Sequence, residues 1–169
     1  LLSTDFFMGN PTTLMYRASC VRARNPFFEP GRTHEDTELC FEILKTARFG
    51  FVPQVLSFVR MANDEGSITG GWRQYDWFIA LRYTMLKRFG PAFLSAGELR
   101  RVRTRVTLRY AWCLFKAAIS FRGAKYFAFH KIRLAEVGEV LSPLTPIGWT
   151  VGLTGGFVAR AGRAFGRSL

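Results

Sequence analysis

Residues 31–44 read GRTHEDTELCFEIL, and the interpretation of the chain depends on this stretch. Leu39 and Ile43 lie four positions apart, and Cys40 and Leu44 repeat that spacing beside them. Apolar side chains at this spacing share one face of an α-helix. The pattern therefore predicts an amphipathic helix that follows a loop and packs its apolar face on the rest of the chain.

Acidic residues crowd the start of this helix, which is predicted to cover residues 35–47. Thr33 is the predicted N-cap, and Asp36 stands three positions later, where a capping box has Glu or Gln. The helix dipole favours negative charge in the first turn, so Glu35 and Asp36 have a purely structural explanation. The alternative is that one of these carboxylates projects into a cleft as a general base.

The segments on both sides of the acidic helix suggest which explanation holds. Residues 7–17 read FMGNPTTLMYR, residues 27–28 are a pair of phenylalanines, and residues 49–60 read FGFVPQVLSFVR. Together with Glu35 and Asp36, and in this order, they resemble the C-terminal half of the catalytic domain of a family 2 glycosyltransferase. That family has a strand ending in Tyr-Arg, an aromatic loop, a Glu-Asp pair opening a helix, and a Gly-Phe-Val-Pro strand.

The resemblance covers roughly residues 5–70 and implies an α/β fold. We expect residues 1–71 to be the C-terminal part of a GT-A, Rossmann-like catalytic domain. Within it, residues 12–17 and 51–60 are rich in strand-forming residues and are predicted to be strands. The remaining residues, 72–169, are expected to form a basic helical extension.

The resemblance also implies a reaction, the transfer of a sugar from a nucleotide-activated donor to an acceptor hydroxyl with inversion. The acceptor is expected to be a saccharide or a lipid-linked molecule. Asp36 is then the predicted general base, and Glu35 is the catalytic-site neighbour that orients the loop. Four further residues are expected to bind substrate: Asn10, Thr12, His34 and Arg60. The structural alternatives are a capping or surface role for His34 and a surface salt bridge for Arg60.

The predicted cofactor is a divalent metal, Mg²⁺ or Mn²⁺. The family binds its metal and nucleotide through the N-terminal half, usually with an Asp-x-Asp motif, and this sequence contains no such motif. A metal site formed by His34 and Asp36 would lack a third ligand at helical spacing. Since the chain begins at Leu1 without Met, we expect a fragment of a longer enzyme, inactive alone, whose missing half supplies most metal ligands.

The net charge of +12 is distributed unevenly along the sequence. Residues 1–71 carry 7 Lys/Arg and 8 Asp/Glu, whereas residues 72–169 carry 17 and 4. A charge so concentrated favours an anionic partner, and we expect an anionic membrane surface. No nucleic-acid motif is recognisable, so nucleic acid is not expected. The alternative function is a non-catalytic basic helical module that binds a membrane or nucleic acid.

Three helices are predicted beyond the boundary, at residues 72–89, 98–116 and 124–138. The second has a stripe of arginines, and a similar stripe recurs near the C-terminus: Arg101, Arg105 and Arg109, then Arg160, Arg163 and Arg167. Residues 140–159 carry no charge, but prolines and glycines interrupt them, so an interfacial or packing role is favoured over a membrane span.

The cysteine pattern bears on location. Cys20, Cys40 and Cys113 lie far apart and form no Cys-x-x-Cys pair. An odd number of cysteines without metal-ligand spacing predicts free thiols in a reducing compartment. We therefore expect a cytoplasmic protein, peripheral at the inner face of the membrane.

Overall fold

The computed structural model describes residues 11–29, 34–58, 71 and 73–141. Five α-helices and two short 3-10 turns have defined bounds within these residues, and no β-strand occurs among them. The chain forms two compact units, Leu1–Ser67 and Ile68–Leu169, which are described separately.

The predicted α/β fold is therefore wrong for the described residues, which are predominantly helical. The first expected strand begins instead as a 3-10 turn, Pro11–Thr13, and continues as irregular chain. The described part of the second, residues 51–58, is also irregular. A strand needs a neighbouring strand to bond its N–H and C=O groups, and these residues supply none. Strand propensity alone cannot overcome that absence.

The first unit contains two helices. Helix α1, Ala18–Arg22, is short and ends before Pro26. Helix α2, Glu35–Leu44, begins where the acidic cluster predicted and ends three residues before the predicted end. Of the predicted apolar face, Leu39 and Cys40 are buried, whereas Ile43 and Leu44 are half-buried, so the prediction is confirmed for the first half of the helix. Residues 45–58, which follow α2, are irregular and largely exposed.

The second unit contains the three helices expected from the sequence, with shifted bounds. A 3-10 turn, Arg73–Tyr75, precedes α3, Trp77–Phe93. Helix α4 is Ala96–Ile119 and α5 is Ala124–Ala135. Helix α3 starts late because its N-cap residue adopts a left-handed conformation, with φ of 48°. Helix α3 also continues through Pro91. Proline has no backbone N–H to donate to the preceding turn, but its fixed φ is compatible with a helix.

A capping box fixes the start of α4. The backbone N–H of Ser95 donates to Glu98 Oε2 over 3.0 Å, and the Glu98 N–H donates to Ser95 Oγ over 3.4 Å. Hydrogen bonds from the Ser95 hydroxyl and backbone lower the pKa of the Glu98 carboxyl. The motif satisfies two backbone donors that a helix start leaves unpaired. It explains why α4 begins at Ala96 and not at the predicted residue 98.

The core of the second unit lies where α3 packs against α4 and α5. Its largest fully buried side chains come from all three helices: Phe89 from α3, Tyr110 and Leu114 from α4, and His130 and Leu134 from α5. Burying a large apolar side chain stabilises a fold by roughly 1.5–3 kcal/mol. Near one end of this core, a Cβ on Gly90 would lie 2.7 Å from Leu99 Cδ1, so glycine permits a close helix contact.

Three polar side chains of the second unit are buried, Thr84, Thr107 and His130, and the imidazole of His130 is the most completely enclosed. The hydroxyl of Tyr110 lies 2.7 Å from its Nδ1, and the ring of Tyr126 lies 4.6 Å away between centroids. Burial lowers the pKa of His130 to about 4, although the Tyr75 backbone carbonyl and the charge of Asp76 oppose the shift. The imidazole is therefore neutral at physiological pH.

No helix in the described parts of the chain combines the length and apolar character that a membrane crossing requires. The expectations for residues 142–159, and for the C-terminal stripe of Arg160, Arg163 and Arg167, lie outside the described residues.

Candidate functional site at the start of α2

The predicted base, Asp36, lies in the first turn of α2. Its Oδ1 accepts a hydrogen bond from the Thr37 backbone N–H over 2.8 Å and is 3.5 Å from the Thr37 hydroxyl oxygen. Thr37 is buried and Asp36 is half-buried. The helix start thus holds the carboxylate by hydrogen bonding and by its dipole, and leaves part of it accessible.

Two protonatable side chains lie close to this carboxylate. Cys40 is one helical turn after Asp36 on the same face of α2, and its Sγ is 3.3 Å from the Tyr16 hydroxyl oxygen. The negative charge of Asp36 acts electrostatically on both groups. The structure therefore brings together one carboxylate, one thiol and one phenol.

The protonation of the thiol and phenol follows from their surroundings. Burial raises the pKa of Tyr16 well above its usual range, and the hydrogen bond with Cys40 and the charge of Asp36 add to this effect. Burial also raises the pKa of the Cys40 thiol, although the hydrogen bond to Tyr16 opposes it. Both groups stay protonated at neutral pH, so Cys40 is not a thiolate nucleophile. Asp36 is the candidate base in this cluster.

The aromatic loop joins the same cluster through Tyr16. The rings of Tyr16 and Phe27 meet edge to face with centroids 5.2 Å apart, and Phe27 and Phe28 meet similarly at 4.9 Å. Such contacts each contribute about 0.5–1.5 kcal/mol beyond the buried area. Three segments singled out in the sequence therefore converge: the Tyr-Arg segment, the phenylalanine pair and the acidic helix start.

The other predicted site residues have different positions. Glu35 is the first residue of α2 and is half-buried, and His34 is the N-cap residue, but its side chain makes no capping hydrogen bond. Thr12 lies exposed in the 3-10 turn. Asn10 and Arg60 lie outside the described residues.

The expected divalent metal finds no fitting donor set in the described ranges. No group of three His, Cys, Asp or Glu side chains there could hold a metal ion. Around Asp36 the neighbouring groups are a protonated thiol and a protonated phenol, whereas Mg²⁺ and Mn²⁺ prefer carboxylate and carbonyl oxygens.

Sequence reasoning missed Tyr16 and Cys40 as neighbours of the base. A signal for Cys40 was present, because residues four apart on a helix share a face, and Cys40 follows Asp36 by four. No local signal could place Tyr16, since it lies 24 residues from Cys40 and reaches it only through the tertiary fold.

Comparison with known proteins adds no assignment. No protein-family model matches the chain, and neither the curated proteins nor the solved structures give a significant match.

Proposed function

We propose that this chain belongs to an inverting glycosyltransferase and supplies the acceptor side of its site, with Asp36 as general base. The observation that carries the proposal is the convergence of three sequence segments on one carboxylate. Tyr16 links the first segment to Cys40 on α2, and Phe27 packs on Tyr16. A family 2 glycosyltransferase needs an aromatic loop and a base to meet at its acceptor. The proposal concerns the reaction and makes no use of a GT-A sheet.

In the proposed reaction, the acceptor hydroxyl oxygen attacks the anomeric carbon of the donor sugar. The bond from that carbon to the nucleoside diphosphate breaks, and the diphosphate leaves with the electron pair. The hydroxyl proton passes to the Asp36 carboxylate, which must lie within hydrogen-bond reach of the acceptor. Attack opposite the leaving group inverts the anomeric centre.

The surrounding residues have supporting roles in this scheme. The Thr37 N–H holds one carboxylate oxygen of Asp36, which leaves the other oxygen for the acceptor. Glu35 precedes the base and orients the loop that enters α2. The rings of Tyr16 and Phe27 provide an apolar wall of the kind that stacks against a sugar face. The partners are then a nucleotide-sugar donor and a saccharide or lipid-linked acceptor.

The proposed location is the cytoplasm, with peripheral attachment to the inner membrane face. All three cysteines are free, as predicted: Cys20, Cys40 and Cys113. Cysteines stay as free thiols in a reducing compartment, so their free state supports the proposed cytoplasmic location.

The decisive experiment replaces Asp36 by Asn in the full-length protein. Nucleoside-diphosphate release is measured with a panel of UDP- and GDP-sugars, in the presence of oligosaccharide or polyprenyl-phosphate acceptors. We expect turnover to fall about a hundredfold or more, because general-base catalysis typically contributes that much. Donor binding, measured by calorimetry, should be almost unchanged.

The chain offers a matched control on the same helix. Asn at position 36 retains an oxygen that can accept the Thr37 N–H, so the helix start should persist. Glu42→Gln also removes one carboxylate from α2, but Glu42 pairs with exposed Lys45 over 2.7 Å at the far end. Its turnover should match wild type. Near-normal turnover in Asp36→Asn would refute the assignment, and so would equal losses in the two variants.

A further inference from the structure

Helix α4 has an inward and an outward face with very different environments. The inward face is buried in the second unit through Val106, Tyr110 and Leu114. The outward face exposes large apolar side chains. They are Leu108, Trp112, Phe115 and Ile119, whose exposed fractions are 39%, 58%, 45% and 58%.

These four side chains form one continuous stripe, because their positions differ by four, three and four. Trp112 and Phe115 stack with their ring centroids 5.5 Å apart, so the stripe has a preassembled aromatic centre. Phe121, just beyond the helix end, is also 93% exposed. The stripe itself is about 16 Å long. A contiguous apolar surface of this kind marks an interaction site more often than a solvated face.

Basic residues continue and flank the same stripe. Towards the start of α4, the stripe continues as Arg101 and Arg105. Arg109 and Lys116 flank its apolar part. All four basic side chains are exposed. Residues 99–135 contain ten Lys/Arg and no Asp/Glu. The ten are Arg100, Arg101, Arg103, Arg105, Arg109, Lys116, Arg122, Lys125, Lys131 and Arg133.

We propose that this outward face of α4, the Leu108–Ile119 stripe with its flanking basic residues, docks on an anionic membrane surface. An interfacial helix combines an apolar stripe, which enters the boundary between headgroups and acyl chains, with basic side chains that meet anionic headgroups. Tryptophan is the residue most characteristic of that boundary. The face of α4 has both parts on one exposed surface, and residues 99–135 contain no acidic side chain.

Charge and chemistry favour lipid over the other possible occupants. A second copy of the chain docking through the same face would bring two sets of arginines together, and no acidic residue between 99 and 135 would offset them. Nucleic acid would satisfy the arginines but not the aliphatic side chains of Leu108 and Ile119, which gain only from an apolar environment. Anionic lipid satisfies both. The α4 face and the α2 site belong to different units of the chain, and vesicle binding does not depend on the proposed transferase reaction.

The test is vesicle co-sedimentation of the purified chain. Phosphatidylcholine vesicles with 30% phosphatidylglycerol are compared with pure phosphatidylcholine vesicles. We expect strong binding to the anionic vesicles in about 50 mM salt and a steep loss in 500 mM salt, because salt screens the attraction. Brominated lipid should quench tryptophan fluorescence in the wild type, and most of this quenching should disappear in Trp112→Phe.

Two variants separate the electrostatic and apolar contributions. Arg105→Gln/Arg109→Gln should weaken binding about thirtyfold, since each basic residue near an anionic leaflet is worth about fivefold. Trp112→Gln should weaken it about tenfold or more by removing the central ring. Both variants change only exposed positions and should keep the wild-type helical circular dichroism.

The matched control is Arg22→Gln/Arg24→Gln, which removes two exposed charges from the first unit. It should retain near wild-type vesicle binding. Equal weak binding to both vesicle types would overturn the proposal, and so would equal losses in the two double-arginine variants. Dimerisation in ultracentrifugation that Trp112→Gln abolishes, without vesicle binding, would identify a second copy as the occupant and would also overturn it.

Discussion

Acidification should destabilise the second unit through His130. This side chain is fully buried, and its pKa in the folded protein is about 4, against an ordinary value of 6.5. Above pH 6.5 the imidazole is neutral in both the folded and the unfolded chain, so it does not change stability. Below pH 6.5 the unfolded chain takes up a proton that the folded one refuses. Stability therefore falls as the pH drops from 6.5 towards 4.

The magnitude follows from the difference between these pKa values. Each pKa unit corresponds to 1.36 kcal/mol, so the free energy of unfolding should fall by about 2 kcal/mol between pH 7.5 and pH 5.0. The pKa of about 4 in the folded protein already reflects the charge of Asp76 and the Tyr75 carbonyl, both of which favour the protonated ring. Most carboxylates remain ionised over this range, so their titration interferes little.

Urea unfolding at pH 7.5 and pH 5.0, followed by far-UV circular dichroism, measures the effect. The comparison is with His130→Asn, whose side-chain oxygen can still accept the Tyr110 hydroxyl but cannot titrate. Wild type should lose about 2 kcal/mol more than the variant over this range. Every other titratable side chain is common to both proteins, so its contribution cancels in the comparison. Equal pH dependence in the two proteins would refute the argument.

Two further predictions concern the second unit. Leu114→Ala should lower the free energy of unfolding by about 2–5 kcal/mol, because Leu114 is fully buried and its loss leaves a cavity. A loss below about 1 kcal/mol in urea unfolding would show that this core is misassigned. Ser95→Ala should cost about 1 kcal/mol by removing the cap of α4, with hydrogen exchange fastest in its first turn. Unchanged exchange at Glu98 and Leu99 would contradict the capping box.

The sequence predicted the helices well and the strands badly, for one physical reason. Helices satisfy their backbone hydrogen bonds within a short stretch, so apolar spacing and the acidic first turn with Glu35 and Asp36 were sufficient to locate α2. The predicted N-cap, Thr33, was wrong, because His34 occupies that position. The expected strands at 12–17 and 51–58 depended on partner strands elsewhere, which local sequence cannot supply. The candidate site shows the same difference between local features, which the sequence can reveal, and tertiary contacts, which it cannot. Asp36 and Cys40 could be placed on one helix face, whereas the contact of Tyr16 with Cys40 required the tertiary fold.

The irregular segment after α2 has a consequence for how the chain behaves in solution. Phe51, Val55 and Phe58 are 75%, 77% and 91% exposed, and residues 49–58 contain no charged side chain. Such a window, exposed to solvent and rich in β-prone side chains, is a template for strand addition from another polypeptide. Only Pro53 interrupts it, and the net charge of +12 keeps identical chains apart. Concentrated salt removes that repulsion, so colloidal stability of this protein depends on low ionic strength.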